Sequence, residues 1–119
     1  MKIRKLYDPV YRVHLFFIVE PDGDKAKAWL TKAFKDGETV KDLNFAWPVG
    51  AKSIWDNDSC KEYAIWIRSK KDVGHLVHET SHIANMILGH RGIYQTEKNM
   101  EAHAYYQEFL FNEFIKIMK

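Results

Sequence analysis

The chain has 119 residues, 46% of them hydrophobic and 29% charged, with a formal net charge of +2. That length suits one domain with one modest core; the balance is an ordinary globular one, and so small a net charge gives no reason to expect a nucleic-acid partner. Cys60 is the single cysteine, so no internal disulfide can form and a reducing compartment is the default.

The basic start, Lys2, Arg4 and Lys5, runs into Asp8 and Pro9 rather than a long apolar stretch. It reads as neither a secretory signal nor a membrane anchor, so a cytoplasmic protein without a membrane partner is expected. From Tyr11 to Glu20, Val13, Leu15, Phe17 and Val19 alternate with Arg12, His14, Phe16 and Ile18. This predicts a strand covered on both faces toward its end. His14 reads as a hydrogen-bonded sheet histidine in preference to a metal ligand. A helix is predicted over 25–35, capped by Asp22 or Asp24. Ala26, Trp29, Leu30, Ala33 and Phe34 form its buried stripe, and Lys25, Lys27, Lys32 and Lys35 a solvated charged side. Gly37 is expected to end it in the left-handed conformation. Residues 38–50 read as irregular, with Trp47 packed in a core or loop in preference to lining a cleft. Lys52–Trp55 and Glu62–Arg68 read as a hairpin around the turn residues Asp56-Asn57-Asp58-Ser59. Asp56 and Asp58 resemble a fragment of a calcium loop, but its glycine and closing glutamate are missing, so calcium carries little weight.

Asp72 is placed to cap a helix from Val73 to Leu88, with Gly89 as its stop. Inside that helix stands His78-Glu79-Thr80-Ser81-His82. Residues four apart on a helix lie nearly one above the other, so His78 and His82 share a face and can hold one zinc ion. Glu79 lies beside them, within reach of a water that such an ion activates. His75 precedes the motif on the same face, near the helix start and solvent. After a loop from His90 to Tyr94, Thr96 is expected to cap a last helix over 97–118. A catalytic zinc takes three protein ligands and keeps one position open. Glu101, on that last helix, is the first choice for the third; His103 and Glu108 follow.

The motif, followed by Glu101-Ala102-His103-Ala104-Tyr105, resembles the zincin metallopeptidases of the gluzincin type. More narrowly, Ile65 to Phe111 resembles small zinc peptidases of phages and mobile elements, in which a Leu-Val-His-Glu-x-x-His helix precedes a Glu-Ala-x-Ala-Tyr helix. The resemblance implies an α+β fold, a minimal zincin-like domain over residues 1–119. It implies Zn2+ held by His78, His82 and Glu101, with Glu79 as general base in peptide-bond hydrolysis. The substrate would be a peptide or protein pairing with an edge strand before the motif helix, here Glu62–Arg68, unless that strand is simply paired within the sheet. Tyr105 is the first candidate for the oxyanion donor, with Tyr94, His103 and His90 as others. Many gluzincins carry an aspartate where this chain has Tyr105, so the first histidine needs another acceptor: a backbone carbonyl, Glu108 or Asp72. Two alternatives stand beside the peptidase. One is a deformylase-like zinc hydrolase using Cys60, although Asp58-Ser59-Cys60-Lys61 does not match the deformylase cysteine motif. The other is a non-catalytic zinc-fold binding or regulatory protein. The oligomeric state is left open.

Overall fold

A computed structural model describes all residues, Met1–Lys119. In chain order the elements are β1 (Lys2–Asp8), β2 (Val13–Val19), α1 (Gly23–Ala33), α2 (Glu38–Lys41), β3 (Ala51–Trp55), β4 (Glu62–Ile67), α3 (Val73–His90) and α4 (Met100–Ile115). The four strands form one sheet in the order β1-β2-β4-β3. β2 and β4 are parallel, and the two outer pairings are antiparallel. The fold is α+β.

Facing residues in the sheet share a side, and β2 and β4 pair from His14 with Glu62 to Val19 with Ile67. Leu15, Phe17, Tyr63, Ile65 and Ile67 therefore point one way, into the larger core under α3 and α4. Phe16, Ile18, Ala64 and Trp66 point the other way, into a smaller core with α1 and α2. Apolar residues on both faces of 11–20 anticipated this two-sided burial.

The structure departs from the sequence pattern at several elements. β1 was not anticipated: its charges mask the alternation, yet it pairs with all of β2 as a lysine-bearing edge strand. The hairpin of β3 and β4 is present, but β4 is central and buried throughout. The free edge next to the motif helix is β3, not Glu62–Arg68. α1 stops at Ala33, and Gly37 has φ −62 at the start of α2, a segment read as irregular. Its lack of a side chain matters because a Cβ there would lie 2.7 Å from the carbonyl oxygen of Thr31. α3 runs through Gly89; the left-handed residue is Gly92, φ +78, after which Ile93 N–H returns to Leu88 O at 2.9 Å. α4 starts at Met100, later than Thr96 suggested. No helix is long and apolar enough to cross a membrane.

One side chain ties the loops at the end of the sheet. Arg68, just after β4, donates to the carbonyls of Val49, Phe45 and Pro21. Its guanidinium also lies over the rings of Trp66 and Trp47, at 4.9 and 5.5 Å. Trp47 is therefore not core; it is 79% exposed and packs one face on Arg68 among the loops. Charge-assisted hydrogen bonds and a cation–π contact are lost together in Arg68→Ala, which should cost about 2–3 kcal/mol. Urea unfolding measures this, and a loss below about 0.5 kcal/mol would show that the clasp contributes little.

Candidate metal centre

The sheet-facing side of α3 is set by Leu76, Thr80, Ile83 and Ile87, all fully buried. At 100° per residue, His78 and His82 then lie nearly opposite the sheet, and Glu79 points sideways toward β3. The structure follows this division: both histidines are exposed and Glu79 is buried. The Nε2 atoms of His78 and His82 are 3.0 Å apart, with the rings nearly perpendicular at 81°. Two nitrogens on one zinc at tetrahedral angles stand roughly 3.3–3.4 Å apart, from zinc–nitrogen bonds of about 2.0–2.1 Å. Without an ion, one ring must donate a proton to the other. The pair therefore fits a metal with little rearrangement. The ligand atoms of His78, Glu79 and His82 all lie within 4.8 Å of one another.

Ser53 on β3 holds the general-base candidate. Its Oγ is 3.2 Å from Glu79 Oε1 and 3.2 Å from Glu79 O, so one hydroxyl links the free edge strand to the motif helix. Nothing in the residue pattern of β3 distinguished Ser53. A neighbouring contact fixes the start of α3. Asp72 Oδ1 accepts from His75 N–H at 3.0 Å, and Asp72 Oδ2 lies 2.5 Å from His75 Nδ1. The imidazole of His75 rests on Gly50, where a Cβ would come within 2.7 Å of it. Asp72 is thus engaged by His75 and orients neither motif histidine; neither ring of the motif makes a further hydrogen bond.

The structure does not bring Glu101 into this group. His103 Nδ1 is 2.8 Å from Asn85 Oδ1, and Gln107 donates to Val77 O at 3.2 Å. These contacts make α3 and α4 antiparallel and set their register. Glu101 then lies level with the turn of α3 that follows His82. α4 buries His103, Tyr106, Leu110 and Phe114, and leaves Glu101, Tyr105 and Glu108 exposed. Tyr105 is 67% exposed. His103 is not a free ligand, because its Nε2 is also bonded to Ile93 O at 2.9 Å. Tyr94 is exposed on its loop.

His90 belongs to a separate network. Its Nδ1 lies 2.5 Å from the hydroxyl of Tyr63, which also accepts from Arg91 at 3.0 Å. Desolvation lowers the His90 pKa, and the Arg91 charge lowers it further; desolvation raises that of Tyr63. Arg91 also holds Cys60 O at 2.6 Å, which places Cys60 at the far end of α3 from the motif. The Cys60 thiol donates to Asn57 O. Asp36, Asp56 and Asp58 form a second group of clustered carboxylates.

A depressed histidine pKa stabilises the fold above the unfolded value of 6.5 and loses that contribution as pH falls. Thermal stability should therefore drop between pH 7 and 5, and His90→Gln should flatten the drop. An unchanged pH profile in that variant would contradict the assignment. His78→Ala and His82→Ala should each remove bound zinc, measured by elemental analysis after dialysis; full occupancy in either would exclude the pair as ligands.

No protein-family model, curated protein or solved structure matches the chain.

Proposed function

We propose that the protein is a zinc-dependent peptidase acting in the cytoplasm, of the kind carried by phages and mobile elements. The observation that carries this reading is the pair of facing Nε2 atoms, 3.0 Å apart, with the Glu79 carboxylate beside them. Bound there, zinc would supply Lewis acidity and bring the pKa of a water molecule toward neutrality. Glu79 would take the proton from that water and deliver it to the leaving amine. Ser53 keeps the carboxylate aimed, and the exposed histidine face leaves the site open to a polypeptide. An extended substrate would pair with β3, the free edge beside α3, through its main chain.

Glu101 is the third ligand in this reading, from its place on the helix one loop after the motif and from the resemblance to gluzincins. Tyr105, four residues on and sharing the face of Glu101, is its oxyanion donor. Glu101 lies outside the group of His78, Glu79 and His82, and Glu101 and Tyr105 are both exposed. A second reading, a zinc-fold binding or regulatory protein without catalysis, draws on the same two facts and on the missing acceptors behind His78 and His82.

Glu79→Gln separates the two. Under the peptidase reading the variant keeps its zinc and cleaves a fluorogenic peptide library roughly 10²–10⁴-fold more slowly. Hydrolysis unchanged by the substitution would sink the catalytic reading. Glu101→Ala, assayed for zinc, tests the ligand set: loss of metal supports the assignment, and full retention removes Glu101 from it.

A further inference from the structure

We propose that two copies of this chain pair through the outer face of α3 and share one zinc ion between their histidine pairs. α3 is 18 residues long, and its one acidic or basic residue apart from histidine, Glu79, is buried. What it exposes to water is Val73, Gly74, Val77, Asn85 and the three histidines His75, His78 and His82. The other helices all expose formal charge: Lys25 and Lys32 on α1, Glu38 and Lys41 on α2, Glu101 and Glu108 on α4. A helix side that faces solvent normally carries such charge. Its depletion is instead the mark of the centre of a protein interface.

The occupant is a second copy because the site calls for what this chain itself carries. Tetrahedral zinc has four positions, and His78 and His82 fill two of them. Within one chain only Glu79 is grouped with the pair, and its buried carboxylate accepts from Ser53 Oγ at 3.2 Å. A two-fold axis through the ion brings a second, identical pair of nitrogens to it and completes the four. Such an axis sets the face against itself, so any charge on it would meet like charge. The uncharged face of α3 avoids that repulsion. Asp72, at the start of the helix, is already bonded to His75 Nδ1 at 2.5 Å. Gly74 and the half-buried Ser81 are small residues beside the histidines, which lets two helices approach closely.

The inference rests on the metal pair of the proposed function and adds regulation to it. Four nitrogens on one ion leave no position open, so the paired form is a closed, inactive one. When zinc is in excess over the chain, mass action loads each histidine pair separately and parts the copies. The dimer is then the state of scarce zinc, and the monomer that of abundant zinc.

Sedimentation velocity of the full chain during a zinc titration tests this. The metal-free protein should sediment as a monomer of 14.1 kDa. The dimer should peak near one zinc per two chains, checked by elemental analysis of the dimer fraction, and recede in excess zinc. His82→Ala should stay monomeric throughout. Val77→Lys leaves both ligands in place, so it should still bind zinc. It should weaken association about tenfold or more, because two lysines then meet across the axis. The circular dichroism of both variants should match wild type. A protein that binds zinc yet stays monomeric at every ratio would overturn the pairing and leave the peptidase reading standing; one that binds no zinc would overturn both. Association that survives a chelator, His82→Ala or excess zinc would overturn the shared ion, and association unchanged in Val77→Lys would overturn the face.

Discussion

The parallel pairing of β2 with β4 is the constraint on which the rest of the structure depends. Two adjacent parallel strands cannot be joined by a tight turn, so the chain must leave the sheet and cross back. The crossover between Val19 and Glu62 contains α1, α2 and β3. Both strands are apolar on both sides and need a layer on each. α1 and α2 cover one face, and α3 and α4 cover the other. With β1 outside β2, the only place left for β3 is the far edge, outside β4. α3 then packs beside that free edge, which brings Ser53 to Glu79.

The site inherits its form from this arrangement. One helix carries three chemical groups, but sheet packing sorts them: Glu79 is turned into a dry position against β3, and the two imidazoles are turned to solvent. A carboxylate held by the Ser53 hydroxyl next to an open pair of ring nitrogens is a workable division between proton handling and metal binding. Glu101 and Tyr105, the residues expected to complete the site, are on α4. Its register is set by His103 on Asn85 and by the Asp8–Tyr106 hydrogen bond, 2.7 Å, and Glu101 is not grouped with the histidines.

Much of this was legible in the residues. α3 was readable because its 3.6-residue apolar period, its Asp72 cap and the histidine spacing agree. β2 was readable because it is apolar on both faces. β1 was not, since an edge strand can carry lysine and arginine where a central one cannot. The central position of β4 was also hidden, because strand order depends on crossover connections and leaves no mark on local alternation. The place of Glu101 depended on which residue of α4 meets Asn85, a long-range contact with no signal in spacing. Ser53 shares that difficulty: it gains meaning only from Glu79, far away in the chain.

The central claim is that His78 and His82 together ligate a metal ion. Zinc K-edge X-ray absorption on the zinc-loaded protein tests it most directly. The structure predicts a first shell of nitrogen and oxygen at about 2.0–2.1 Å, with the outer-shell scattering of two imidazoles, lost in His78→Ala. A shell containing sulfur from Cys60, or one without imidazole scattering, would contradict it.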